Sequence, residues 1–79
     1  MTAELASAFM QRVGEWIREE RKALGITQGE VAKAIGVSDS TVSSWECGEA
    51  MMSAAAHVWL QNYFKRQRQM RPVRKAVTA

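Results

Sequence analysis

Q-G-E-V-A-K-A-I-G-V-S-D-S-T-V-S-S-W-E, residues 28–46, spaces its small and apolar residues as two short helices crossing at a tight corner require. Val31 and Ile35 stand four apart and Val42 and Trp45 three apart, so each helix presents one buried stripe and the stripes face each other. Ala32 falls on the inner side of the first helix, where a larger side chain would hold the second helix away. Gly36 follows where a chain that leaves a helix and turns sharply needs positive φ. Val37 closes the corner from inside. Both helix starts are written locally: Thr27-Gln28-Gly29-Glu30 is a capping box, and Ser38 can cap the next helix.

Beyond this segment, the spacing predicts a first helix from about Thr2 or Ala3 to Leu24, with Leu5, Phe9, Val13, Trp16, Ile17 and Leu24 on one face and Gly25 as its end. The second helix is expected over Gln28 to Ala34 and the third over Ser38 to Cys47, stopped by Gly48. A fourth starts near Ser53 and runs to about Phe64 or beyond. The expected fold is all-α: a small four-helix or five-helix domain over residues 1–64, with the helix-turn-helix proper at 28–47 and a basic tail at 65–79.

Length and composition set bounds on this reading. A chain of 79 residues buries only about 60% of its unfolded surface, enough for one compact core. With one cysteine there is no intramolecular disulfide, and Cys47 with His57 makes no four-ligand metal set, so no cofactor is expected. Cys47, His57 and the scattered carboxylates likewise form no nucleophile and base arrangement, which argues against an enzyme. No apolar run approaches the roughly 18 residues of a membrane span, and the N-terminus lacks a signal-peptide layout. The expected location is the cytoplasm.

The charge is unevenly placed. Residues 1–64 hold five cations against eight acids, whereas 65–79 hold Lys65, Arg66, Arg68, Arg71, Arg74 and Lys75 with no acid. An acidic body is a poor start for a phosphate binder, since phosphate neutralisation supplies most sequence-independent affinity. Pro72 forbids a regular helix through the tail. An extended arm along DNA is one reading of it, and a solvated terminus is the other.

The run I-R-E-E-R-K-A-L-G-I-T-Q-G-E-V-A-K-A-I-G-V-S-D-S-T-V-S-S-W-E-C-G, residues 17–48, resembles the lambda-repressor-like, Cro-type helix-turn-helix family. Gln28, Ala32, Gly36, Val42 and the closing Trp45-Glu46-x-Gly48 arrive in register together. The resemblance implies a double-stranded DNA partner, with the third helix in the major groove. It implies base contacts from Asp39, Ser40, Ser43 and Ser44, and phosphate contacts from Gln28, Thr41 and Lys33. Gln28 would also brace the start of the recognition helix. Arg21 and Glu46 would pair to tie helix one to the end of helix three, and Ala32, Gly36, Val42 and Trp45 would be structural. Two departures stand out: serines replace the glutamines that often read adenine, and Cys47 replaces a phosphate-contacting asparagine. Specificity is then expected to rest partly on DNA shape.

Helix four carries more apolar surface than one core-facing stripe needs, with Val58, Trp59, Tyr63 and Phe64 as the expected dimer interface. Leu5 and Phe9 either cap this core or meet a partner's. The expected function is a homodimeric repressor on a near-palindromic operator, of the kind found in phages and mobile elements. The rival readings are an antitoxin-type regulator that also binds a protein such as a toxin, and a protein-only adaptor. At this length no sensor domain is expected.

Overall fold

The computed structural model describes residues 2–70. The order is α1 (Ala3–Leu24), α2 (Gln28–Ile35), α3 (Asp39–Glu46) and α4 (Ala54–Met70), and no strand occurs among the described residues. The all-α fold expected from the spacing is the fold found.

Each helix begins and ends for a local reason. Thr2 caps α1, its hydroxyl accepting from the Leu5 N–H at 3.1 Å. Gly25 at φ 70° ends α1 and lets the Ile26 N–H reach back to the Arg21 carbonyl at 2.9 Å. That return tucks the Ile26 side chain into the core, where it is 2% exposed. Both halves of the Thr27–Glu30 capping box form at the start of α2. Gly36 at φ 88° turns the corner, with the Gly36 and Val37 N–H groups both donating to the Ala32 carbonyl. The Ser38 hydroxyl then accepts from the Thr41 N–H at 3.3 Å and starts α3.

The core is Ile17 from α1, Ile26 from the loop, Val31 and Ala32 from α2, Val42 and Trp45 from α3, and Leu60 and Phe64 from α4. Each large side chain among them contributes roughly 1.5–3 kcal/mol on burial. Trp16 joins α1 to α4, meeting His57 at 5.2 Å and Phe64 at 5.5 Å, both edge to face. Trp16 and His57 are themselves only partly buried.

Four findings amend the sequence expectations. Phe64, expected at a dimer interface, is fully buried, because α4 turns it inward with Leu60 one helical turn earlier. Leu5 and Phe9 do not cap the core: they lie 60% and 46% exposed on the early turns of α1. Helix α4 continues to Met70, so Lys65, Arg66 and Arg68 ride on a helix rather than on an extended arm. Arg68 moreover pairs with Glu20, clasping α4 to α1. The remaining tail residues Arg71, Arg74 and Lys75 lie outside the described residues.

A further constraint sits at Gly14, which is buried where α1 crosses the end of α3. A Cβ there would fall 2.6 Å from the Glu46 carbonyl oxygen and closer still to that of Trp45. Both obstacles are backbone, which cannot rotate aside. Gly14→Ala is therefore expected to destabilise the fold by about 1–3 kcal/mol in urea denaturation despite alanine's better helix propensity. Gly29→Ala, whose Cβ would come no closer than 3.4 Å to the Asp39 carboxylate and 3.8 Å to Thr27 Oγ1, should be neutral or stabilising by up to about 1 kcal/mol.

Candidate nucleic-acid interface

Helix α3 has one face fixed by the core and one left to solvent. Val42, Trp45 and Glu46 are buried; Asp39 and Ser40 are exposed at its start, and Thr41, Ser43 and Ser44 are partly exposed along it. Ser40 and Ser44, one turn apart, share a side of the helix. The hydroxyls near the start are already engaged with one another, Ser38 Oγ lying 3.0 Å from Ser40 Oγ and 2.9 Å from Thr41 Oγ1. The Asp39 carboxylate stands close to Gly29, beside the first turn of α2. Lys33 is exposed near the end of α2.

Glu46 anchors the other end of α3. Its side chain is 1% exposed, and Arg21 spans it with Nε to Oε2 at 2.8 Å and Nη2 to Oε1 at 3.1 Å. Arg21 also donates from Nη1 to the Ile26 carbonyl at 3.1 Å, which holds the loop between α1 and α2. Gln28 Nε2 donates to Glu46 Oε1 at 3.1 Å, and Arg18 Nε approaches the same oxygen at 3.5 Å. Three helices therefore converge on one carboxylate, and no buried side-chain nitrogen or oxygen among the described residues lacks a partner. Burial opposes the charged form of Glu46, but the hydrogen bonds from Arg21 and Gln28, the Arg21 charge and the Arg18 bond outweigh it. Its carboxyl is held below the ordinary glutamate range.

The pairing of Arg21 with Glu46 is as the resemblance implied. Gln28 differs in one respect: its amide braces the end of α3 at Glu46, rather than the start. Arg18 is one of the five cations of residues 1–64. Its spacing marks it in the sequence, since it lies three residues before Arg21 and shares that face of α1.

Other candidate residues lie on α4. Lys65 and Arg66 are exposed on the final turns of α4. Val58 and Trp59 are 54% and 39% exposed, and Trp59 stacks on Tyr63 at 5.2 Å. A separate cleft of about 190 Å³ opens between α1 and the segment before α4, lined by Phe9, Met10, Val13, Trp45, Met51 and His57.

The buried carboxylate gives a pH prediction with a definite sign. A group whose pKa is lower folded than unfolded stabilises the fold above its unfolded value and loses that contribution as pH falls through its folded one. Glu46→Ala, which leaves Arg21 without its partner, is expected to cost about 3–5 kcal/mol near neutral pH. The gap between wild type and variant should narrow as pH drops below about 4.3, the ordinary glutamate value. Urea melts of both proteins across that range measure it.

Comparison with known proteins agrees with this geometry. A family model described as helix-turn-helix matches residues 17–55, the segment that runs from the core residue Ile17 through both crossing helices. A Pyrococcus furiosus protein named for an HTH-type transcriptional regulatory role is 36% identical over 62 residues. The match takes in 78% of this chain and 20% of that relative, so the chain spans about a fifth of the relative's length. No solved structure matches the chain significantly. The capped corner at Gly36, the helix pair around it and the family match over the same residues agree, and the chain belongs to the helix-turn-helix family of the Cro and lambda-repressor type.

Proposed function

We propose that the protein is a sequence-specific regulator of transcription that binds duplex DNA through α3. The observation that carries this reading is the polar outer face of α3, held by a buried anchor at its far end and free of large side chains that would block approach to a groove. With short outer side chains, the helix is no wider than the roughly 10–12 Å of an ordinary α-helix, which a major groove about 12 Å wide admits. Asp39, Ser40, Ser43 and Ser44 contact base edges, while Gln28, Thr41 and Lys33 contact phosphates. The relative's name for a transcriptional regulatory role supports the same reading.

Serine donates or accepts with little base preference, and aspartate accepts, as from a cytosine amino group. Short side chains of this kind leave much of the discrimination to DNA shape and to the pairing of two half-sites. A homodimer supplies that pairing. The exposed Val58 and Trp59, with Tyr63 beside Trp59, are the surface proposed for it. Two copies of α3 related by a two-fold axis would enter major grooves about 34 Å apart on a near-palindromic operator. A protein so placed at a promoter represses by occlusion.

A second reading has its own observation. The cleft beside Phe9 and Met51, with both side chains about half exposed, favours a regulator that also binds a protein partner in the manner of an antitoxin. Co-purification of a small protein that Phe9→Ala releases would favour this reading. A chain that elutes alone from its native host would count against it.

Selection of bound duplexes from a randomised pool at near-physiological salt tests the main proposal. The expected result is enrichment of a palindrome with half-sites about one helical turn apart. Asp39→Asn should change the preferred base at one position of each half-site and leave the spacing intact. Binding that never enriches a sequence contradicts the proposal.

A further inference from the structure

The cluster around Glu46 holds more positive charge than its one carboxylate uses. Arg21 already satisfies both carboxylate oxygens and is mostly buried, its side chain 15% exposed. Arg18 brings a second full charge to Oε1 through the longest hydrogen bond of the set, 3.5 Å, and its side chain is 45% exposed. Arg18, Arg21 and Glu46 together thus carry one net positive charge, and the surplus sits on the exposed member. This occurs in a body where acids outnumber cations. Gln28 Nε2 donates to the same Oε1 at 3.1 Å, so the Gln28 amide and the Arg18 guanidinium are neighbours around one oxygen.

We infer that Arg18 is a DNA-backbone ligand held in reserve on Glu46, and that Arg18 and Gln28 together form a site for a phosphodiester group. When duplex arrives, the Arg18 guanidinium turns from Glu46 to a phosphate oxygen next to the one that Gln28 meets. Arg21 stays behind and keeps the buried carboxylate neutralised, so the exchange leaves no uncompensated charge inside. The pair that Arg18 breaks with Glu46 is long and half in water, where ion pairs contribute little. The pair that it forms with an oxyanion is charge-assisted, and a guanidinium offers two parallel donors for it. The inference rests on the duplex-binding reading and adds to it a residue and the ligand group it meets.

The test uses the full chain and a duplex enriched in the selection, with affinity measured from 50 to about 200 mM salt, the range over which phosphate contacts are most evident. For Arg18→Gln the slope of log affinity against log salt should become shallower by about 0.9 per protomer, one phosphate contact's worth. Base preference should stay as in wild type, and the melting temperature should hardly move. Arg18→Lys keeps the charge and should retain most of the slope, which separates a phosphate contact from a purely structural role. A slope for Arg18→Gln equal to wild type, with duplex binding intact, overturns the inference and leaves the regulator reading standing. So does Arg18→Lys behaving like Arg18→Gln. Wild-type protein that binds no duplex overturns both.

Discussion

A carboxylate buried at the C-terminal end of a helix is an expensive arrangement, and Glu46 is one. It loses water, and it sits where the helix dipole disfavours negative charge. The fold makes it tenable only by bringing Arg21 from α1 and Gln28 from α2 to the same spot. Much else follows from that requirement. Helix α1 must cross α3 close enough for Arg21 to reach, which leaves no room for a side chain at Gly14. The Ile26 loop must fold back so that its carbonyl accepts from the third Arg21 nitrogen, Nη1. Such a network adds less to stability than its number of bonds suggests. What it sets is the direction of α3, because Glu46 cannot rotate outward without stranding a charge.

The direction of α3 matters because its exposed side chains are short. A long glutamine or arginine can search for a base edge, whereas Ser40 and Ser44 reach only what the backbone brings to them. The reading proposed for this face depends on rigid placement, with core residues Val42 and Trp45 behind it and Glu46 at its end. The hydroxyl contacts among Ser38, Ser40 and Thr41 extend the same order to the helix start.

Much of this was legible because local chemistry specified it. The capping box at Thr27, the positive-φ glycines at Gly25 and Gly36 and the core stripe of α2 and α3 each follow from a few neighbouring residues. The pairing of Arg21 with Glu46 came from resemblance instead, since nothing local links residues 25 apart in sequence. The misses share a cause. Ile26 lies between helices, where no periodicity marks a buried residue. Gly14 looks like a weak point in a helix until the α3 backbone is brought beside it. Tyr63 and Phe64 are adjacent aromatics, and only the docking of α4 decides that Phe64 turns inward. The extension of α4 to Met70 brings Arg68 against Glu20, a long-range pair that sequence spacing does not reveal. The DNA roles proposed for the α3 residues rest on the family resemblance alone, because serines and an aspartate on a helix face carry no signature of their own.

Whether the Glu46 network fixes α3, or core packing alone suffices, is decided by backbone hydrogen exchange on Glu46→Gln, which keeps the side chain's shape and removes its charge. If the network fixes the helix, the amides of α3 and of the Ile26 loop lose protection while the Ile17 region of α1 and the Leu60 region of α4 keep theirs. Retention of wild-type protection along α3, or an equal loss across all four helices, would refute that dependence.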